Sequence, residues 1–564
     1  MKFEEFTYTR PQMETLQADF SALLETFKQA TSEEVAVDAF EKMDALRQAF
    51  STMYNICYIR HSVNTKDEFY EAENNFFDQN NPTVTDLTNR FYKLLLVTPF
   101  RSALEAKWGK QLFVIAELSQ KSFKPTILDD MKIENKLSSD YSKLKAGAKI
   151  TFEGKDYNLS SIIPLVTSDD RATRKAASLA KWAFFEKNAA EFEKIYADQV
   201  QVRHRIAQKL GYKNFVELGY ARMQRSDYDA AMVANFRKQI QEHIVPLASN
   251  LYERQRKRIG VDTFKFYDES YRFASGNAKP KGSPQWIVEN AKKMYNELSP
   301  ETATFFKYMN ENNLMDLENK DGKATGGYCT YIDNHGAPYI FSNFNGTSGD
   351  IDVLTHEAGH AFQVYSSRNI GLSEYNWPTY EACEIHSMSM EFFTWPWMKL
   401  FFQEDVDKYK FSHLAGAVCF LPYGVAVDEF QHAVYENPNM TTGERNQVWR
   451  DIEQKYLPHR NYDGHAFLEK GTFWQRQSHI FASPFYYIDY TLAQICAFQF
   501  WKKDQENHTE AWNDYLRLCQ IGGSQSFLDL VKYANLRSPF EDGCVASVVG
   551  VVENWLNSVD DSAF

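Results

Sequence analysis

Glycine and proline are scarce in this chain, and their scarcity restricts the fold more than any other feature. The 564 residues contain 25 glycines and 17 prolines, and the first glycine is Gly109. Both residue types interrupt helices, so long stretches without them favour a helical protein. Over residues 1 to about 135, apolar side chains recur at intervals of three and four, as on one face of a helix. We therefore predict a mostly α fold. One such face consists of Leu16, Phe20, Leu23, Leu24 and Phe27.

The helical pattern is interrupted in two places. Residues 148–160 alternate between apolar and polar side chains around a glycine-containing turn, which predicts a β-hairpin. Two further strands are predicted at Tyr328–Ile332 and Pro338–Ser342, because the sequence between them, Asp333-Asn334-His335-Gly336, favours a tight turn. A small sheet therefore lies just before the helix that follows Asp350.

Charge and composition exclude several classes of protein. The chain has 62 Lys and Arg against 75 Asp and Glu, a net charge of −13, which argues against general nucleic-acid binding. The basic run Arg254–Arg258 is interpreted as the exposed end of a helix. No run reaches the ~18–20 apolar residues that a membrane crossing needs. Seven scattered cysteines without a CxxC pair favour free thiols. We expect a cytoplasmic protein without nucleic-acid or membrane partners; the sequence leaves the oligomeric state open.

The helix after the small sheet contains the sequence His356-Glu357-Ala358-Gly359-His360. Two histidines four residues apart lie on one face of a helix, so both imidazoles can bind a single Zn²⁺ at about 2.0–2.1 Å. Glu357 leaves the helix about 100° round from His356 and can reach a water beside the metal without binding the metal itself. This HExxH pattern predicts one zinc ion per chain.

A catalytic zinc site usually has a third protein ligand. The next helical segment offers Glu374, Glu381 and Glu384. Glu384 and Glu391 share a helical face, so one of them can bind the metal while the other orients a histidine. Asp352, four residues before the first motif histidine, is a rival for the orienting role. Spacing does not separate Glu381 from Glu384; without a metal role, Glu381 would be a solvent-facing or helix-end residue.

Other segments accompany the motif in a recognisable order. With HEAGH, they resemble the thimet oligopeptidase family of zinc metallopeptidases, in particular oligoendopeptidase F and the related Pz-peptidases, across roughly residues 200–500. These segments are Leu210–Phe215, Tyr220–Arg225, Glu384–Ser387, His479–Phe481 and Pro484–Tyr490.

The resemblance implies a ligand set. His356, His360 and Glu384 would bind zinc, Glu357 would be the general base, and Glu391 would lie just outside the ligands. It favours Glu384 over Glu381 because the family pattern is E-x-x-S. It also implies an all-helical ellipsoid of two lobes, with a deep central channel that admits short peptides and excludes folded proteins.

The resemblance also points to groups that would stabilise the negative charge of the reaction intermediate. His479 and the tyrosines after it are the candidates, with Tyr490 preferred and Tyr486 second, whereas Tyr487 is expected to pack in the core. From the sequence alone, His479 among so many aromatic residues would be a core histidine. His432, His459 and His465 have no ligand spacing to the motif, and we expect them at the surface or at helix ends.

We therefore expect an N-terminal helical region over residues 1–165 and a catalytic zinc metallopeptidase region over residues 166–564. The predicted activity is that of an oligoendopeptidase, which hydrolyses internal bonds of short peptides. One alternative is a zinc exopeptidase, either a carboxypeptidase or a dipeptidase. Another is a non-enzymatic helical scaffold with a structural metal. The strand Pro338–Phe344 would either align an extended peptide substrate by strand addition or be an ordinary hairpin strand.

Overall fold

The computed structural model describes all 564 residues, and 71% of them are helical. The prediction of a mostly α fold is confirmed. The helices before the first hairpin are α1 (Met13–Lys28), α2 (Glu33–Val63), α3 (Glu68–Val97), α4 (Arg101–Trp108), α5 (Gln111–Ser122) and α6 (Leu128–Ala146). The remaining helices are α7 (Ile163–Val166), α8 (Arg171–Lys187), α9 (Ala189–Leu210), α10 (Phe215–Arg222), α11 (Ala230–Arg258), α12 (Pro284–Leu298), α13 (Pro300–Glu311), α14 (Gly349–Ser367), α15 (Tyr380–Phe393), α16 (Lys399–Phe402), α17 (Val406–Glu436), α18 (Thr442–Tyr456), α19 (Ala466–Glu469), α20 (Ser478–Ala482), α21 (Tyr487–Glu506), α22 (His508–Ile521), α23 (Phe527–Tyr533) and α24 (Cys544–Ser558).

Two hydrophobic clusters hold these helices together. The first helices share a cluster of 19 buried residues, which includes Phe20, Leu24 and Phe27 from the predicted face of α1. A second cluster of 110 buried residues extends from Phe3 to Leu556 and surrounds the later helices. Because that cluster draws on both sides of residue 165, the division of the chain at this point stays a prediction.

Both predicted sheet regions are present, and the second has one strand more than predicted. The hairpin consists of β1 (Ile150–Phe152) and β2 (Lys155–Tyr157). The second sheet contains β3 (Met315–Glu318), β4 (Tyr328–Ile332) and β5 (Ala337–Phe344) in the order β3-β5-β4. Sequence reasoning missed β3 because it has only four residues and two of them are carboxylates, which are depleted in strands.

Strand addition at β5 is wrong as a prediction. This strand pairs with β3 on one side and β4 on the other, and Ile340 has a partner on both. The two edge strands are β3 and β4. At the outer edge of β4, the Tyr331 carbonyl accepts a hydrogen bond of 2.9 Å from Asn55 Nδ2. Backbone groups alternate in direction along a strand, so Cys329 presents its own N–H and carbonyl to the same outer edge.

Gly359 sets the distance between α14 and α15. A Cβ atom at this position would lie only 2.6 Å from the His386 carbonyl oxygen and 2.6 Å from Ser387 Cα, so the two helix backbones touch here. This close contact brings the glutamates of α15 against the histidines of α14.

We expect Gly359→Ala to lower the free energy of unfolding by about 1–3 kcal/mol, as overpacking usually does. The backbone of α15 must move to make room, so zinc affinity should fall as well. Gly443→Ala is the matched control, because this helical glycine has no neighbour within 4 Å of an added Cβ atom. Urea unfolding and zinc titration of both variants test this expectation. Equal stability and equal zinc affinity in the two variants would contradict it.

One helical stretch is more apolar than the sequence analysis indicated. Lys399–Glu436 meets the length and composition of a membrane span, with a mean hydropathy of 1.2, and 67% of its most apolar window is buried inside the protein. Much of it is α17, which packs against α11 and α21. A helix that is apolar all round suits the core of a large protein as well as a bilayer.

Candidate active site and metal centre

Two adjacent helices bring three potential metal ligands together. His356 and His360 come from α14, and Glu384 comes from α15. Glu384 Oε2 lies 3.2 Å from His356 Nε2 and 3.4 Å from His360 Nε2. All three donor atoms lie within 4.8 Å of one another. A single point can therefore be reached from all three side chains.

This donor set fits a zinc ion. Four ligands at about 2.0–2.1 Å in a tetrahedron lie about 3.3–3.4 Å from one another, close to the two distances from Glu384. Two imidazoles and one carboxylate are common ligands of catalytic zinc and leave the fourth position open. Burial alone would lower the pKa of His356, but Glu384 and Glu391 raise it well above its usual value. The carboxylates therefore favour a cation at this point.

Glu357 faces the same space without joining the donor set. The side chain is 6% exposed, and its Oε2 atom is buried without a hydrogen-bond partner. Burial raises the pKa of this carboxyl above its ordinary value, although the two motif histidines oppose the shift. An unpartnered buried carboxylate is costly, which indicates that a water or a substrate group completes its hydrogen bonds.

Glu391 links the first motif histidine to a residue that sequence reasoning missed. Its Oε1 lies 2.7 Å from His356 Nδ1, and its Oε2 lies 2.8 Å from His413 Nε2. Trp395 Nε1 donates to His413 Nδ1 at 3.2 Å. An indole N–H can only donate, so His413 carries its hydrogen on Nε2 and directs it to Glu391. His356 Nδ1–H is held in the same way, which leaves His356 Nε2 free to face the metal position.

The other acidic candidates have different partners. Asp352 accepts a hydrogen bond of 2.7 Å from the Tyr409 hydroxyl and does not orient a motif histidine. Glu374 accepts from the Tyr92 hydroxyl at 2.6 Å and so ties α3 to this region. Glu381 lies in the first turn of α15, as the helix-end expectation had it. The expectation of a solvent-facing side chain is wrong, because Glu381 is fully buried.

Glu381 belongs to a buried polar cluster behind the donor set. It accepts a hydrogen bond from the Tyr228 hydroxyl and lies 3.7 Å from Arg225 Nε. Arg225 Nη2 donates to Asp489 Oδ1 at 2.7 Å. The cluster thus joins α15 to α21, the helix that carries Tyr490.

His479 and the two candidate tyrosines lie together on the other side of the donor set. Gln477 Nε2 donates to His479 Nδ1 at 2.7 Å, so the ring hydrogen sits on Nε2. That nitrogen lies 3.1 Å from the Tyr490 hydroxyl oxygen, which leaves the Tyr490 hydrogen free to donate elsewhere. Burial lowers the pKa of His479 to about 4, so the ring is neutral at pH 7. The Tyr486 hydroxyl instead donates to Glu384 Oε1.

Of the remaining histidines, His432 is buried and His459 is half-buried, against expectation. His432 is 7% exposed and lies 3.1 Å from the Tyr220 hydroxyl. His459 stacks on Tyr252 with ring centroids 3.6 Å apart. Neither contact could be predicted from the sequence, because Tyr220 and Tyr252 are distant from these histidines along the chain.

A cavity of about 530 Å³ lies beside the donor set, and Glu391, His413, His479 and Tyr490 form part of its wall. A larger cavity of about 1010 Å³ lies between α5 and α23, and none of the candidate ligands lines it. The larger cavity is therefore not the one beside the candidate metal site; the smaller cavity is.

Comparison with known proteins agrees with this geometry. A family profile described as Peptidase M3 N-terminal domain matches residues 3–123, and one described as Peptidase family M3 matches residues 165–549. The chain therefore belongs to peptidase family M3. A solved structure described as Pz peptidase A with inhibitor 2 is 62% identical, with a TM-score of 0.99 over 100% of both chains.

Curated relatives are more distant. An oligoendopeptidase F homolog of Borreliella burgdorferi is 24% identical over 376 residues, which make up 64% of this chain. One of Lactococcus lactis is 25% identical over 389 residues, or 66% of this chain. In both cases the match spans 61% of the length of the relative.

Proposed function

We propose that this chain is a zinc-dependent oligoendopeptidase, which hydrolyses internal bonds of short peptides and holds one zinc ion through His356, His360 and Glu384. The observation that carries the proposal is the convergence of these three donor atoms beside Glu357, whose Oε2 is buried without a partner. The neighbouring cleft includes Glu391, His479 and Tyr490 in its wall. Membership of peptidase family M3 and the 62% identity to a Pz peptidase support it.

The chemistry divides between the metal and the chain. A zinc ion at this position would lower the pKa of a water towards about 7 and polarise a peptide carbonyl. Glu357 accepts the proton of the attacking water and delivers it to the leaving amine. Its raised pKa suits both steps, because a general base works best with a pKa near the operating pH. Glu391 keeps His356 in the tautomer that binds metal through Nε2.

Tyr490 is the proposed donor to the oxyanion that develops on the substrate carbonyl. His479 donates to the Tyr490 oxygen and keeps the tyrosine hydrogen free. Tyr486 has the different task of orienting the Glu384 carboxylate through its own hydrogen bond. Removal of one oxyanion donor typically costs about 10²–10³ in kcat.

We therefore expect Tyr490→Phe to lower kcat by about 10²–10³-fold with little change in KM, because the lost hydrogen bond forms only in the transition state. Tyr487→Phe is the matched control, since this neighbouring hydroxyl has no catalytic part in the proposal. Steady-state kinetics on a quenched fluorescent peptide measures both variants. Near-normal turnover by Tyr490→Phe would remove this residue from the mechanism.

The endopeptidase activity is tested with a peptide of about eight residues that is acetylated at its start and amidated at its end. Mass analysis of the products should show cleavage at internal bonds by the zinc-loaded protein. Cleavage only of peptides with a free end would favour the exopeptidase instead. If blocked and free peptides all stayed intact, the non-enzymatic scaffold would become the better explanation.

A further inference from the structure

The cleft continues beyond the candidate active site into a second cavity of about 390 Å³. The two cavities share Arg272, Ser348, Gly416 and Phe420 in their walls, so together they form one passage. The second cavity contains none of the candidate metal ligands. It is instead lined by positive side chains, among them Arg272, Lys279 and Arg476.

Two lysines lie near Arg476, outside the residues that line the cavity. Lys145 Nζ donates to the Arg476 carbonyl at 3.1 Å and to Ser478 Oγ at 2.7 Å. Burial lowers the pKa of Lys145 to about 7, and the nearby charge of Arg476 adds to the shift. Burial also lowers the pKa of Lys181 to about 7, with further contributions from Arg476 and Lys145. We call Arg272, Lys279 and Arg476, which line the second cavity, the cationic cluster.

The cationic cluster has no carboxylate partners of its own. Arg272 Nη1 donates to the neutral Ser412 carbonyl at 2.7 Å, and Arg476 lies over the ring of Phe473 at 4.8 Å. None of the three side chains forms a salt bridge, whereas the neighbouring Lys281 pairs with both Glu404 and Asp405.

The one carboxylate in the wall of the second cavity is already neutralised. Glu269 accepts hydrogen bonds of 3.0 and 2.9 Å from Arg460 in the two-point arrangement that guanidinium and carboxylate groups favour. An unpaired positive cluster is therefore left inside a chain whose net charge is −13. Arg272 and Arg476 are half-buried, whereas Lys279 is exposed. Half-buried like charges without counter-ions are unfavourable, and an incoming anion would relieve them.

Antiparallel pairing with the outer edge of β4 would bring the C-terminal part of a peptide to this cluster. Gly327, just before β4, lies beside Val353 in the second turn of α14. Asp333, just after β4, accepts a hydrogen bond of 2.9 Å from Asn376, beyond the end of α14. An extended peptide that pairs antiparallel with β4 therefore runs towards the beginning of α14. Ser348 lies there, in the wall shared by both cavities.

We propose that the cationic cluster binds a carboxylate in the C-terminal part of the peptide substrate. This inference rests on the proposed peptidase function and adds a substrate preference to it. The carboxylate would be either the free terminal group of a short peptide or an acidic side chain near that end. Because the cluster lines the second cavity, the anchored group lies beyond the cleavage site rather than next to the metal.

Three peptides, identical except for the last residue of the third, distinguish the two possible sources of the carboxylate. The first ends in a free carboxylate, the second in an amide, and the third in an amide with glutamate as its last residue. A charged hydrogen bond is worth about 1.5–3 kcal/mol, or roughly 10–100-fold. We expect kcat/KM for the free acid to exceed that for the amide by at least about 10-fold, mainly through KM. Recovery with the glutamate peptide would show that a side-chain carboxylate serves as well.

Variants assign the effect to the cluster. Arg272→Gln and Arg476→Gln should each reduce the ratio of the two kcat/KM values, and the double variant should bring it close to one. Arg476→Lys should restore most of the ratio because it keeps the charge. Lys320→Gln, at an exposed lysine whose side chain is 47% accessible outside the cleft, should leave the ratio unchanged. A ratio measured on one preparation is insensitive to a partial loss of folded protein.

Binding gives a readout that does not depend on turnover. Fluorescence anisotropy of the labelled free-acid and amide peptides on the Glu357→Gln protein should show the same preference in Kd. Equal kcat/KM and equal Kd for the two peptides, or a preference that survives the double variant, would overturn the inference while leaving the peptidase function intact. Failure of the zinc-loaded wild type to cleave any of the three peptides would instead contradict the proposed function.

Discussion

Glu357→Gln is expected to lower kcat for peptide hydrolysis by about 10²–10⁴-fold, the range that a positioned general base contributes. The substitution keeps the shape of the side chain and removes its ability to accept a proton. The three donor atoms of the metal site are unchanged, so zinc affinity should stay close to that of the wild type. Burial of this carboxyl, with one oxygen lacking any partner, is the structural reason for assigning it this role.

Steady-state kinetics with zinc-loaded proteins tests this expectation, with the zinc content of each preparation measured alongside. A Glu357→Gln protein that held one zinc ion and turned over at the normal rate would remove Glu357 from the mechanism. A variant that lost its zinc would show that Glu357 acts on the metal instead.

Glu384→Gln is expected to have the second large effect, on metal binding itself. An amide supplies no negative charge, and Glu384 is the only carboxylate whose oxygen lies near both motif histidines. Zinc affinity should therefore fall by more than the ~10–100-fold that follows loss of a group behind the ligands. Activity at limiting zinc should fall with it.

Glu381→Gln is the matched control, because this side chain is also buried on α15, three residues earlier. Its change disturbs the cluster around Arg225, so stability should fall while one zinc ion still binds. Thermal unfolding with and without zinc separates the two variants. The melting temperature of Glu381→Gln should rise when zinc is added, and that of Glu384→Gln should not. The opposite pattern would assign the third ligand to Glu381.

Much of the site could be predicted because it depends on local spacing. The two motif histidines and Glu357 follow from the 3.6-residue period of one helix, whatever packs against it. The choice of Glu384 over Glu381 needed the family resemblance, because both glutamates lie on the same helix. The distance between two packed helices cannot be predicted from the sequence of either helix alone. The close approach at Gly359 decides that spacing.

Contacts between distant parts of the chain could not be predicted in this way. His413 reaches Glu391 from α17, and Asn55 reaches the edge of β4 from α2. Neither contact leaves a periodic or motif signal in the sequence. The prediction of strand addition at Pro338–Phe344 is wrong for the same reason. The central position of β5 in the sheet depends on β3, a strand too short and too polar to be recognised.

The most direct test of the central claim is a zinc titration of the chelator-treated protein, with the rate of peptide hydrolysis measured at each step. Hydrolysis should be absent without metal, rise in proportion to added zinc and reach its plateau at one zinc ion per chain. The same titration of Glu384→Gln should give no plateau at this ratio. Full activity of the metal-free protein, or a plateau that is unchanged in Glu384→Gln, would contradict a catalytic zinc held by His356, His360 and Glu384.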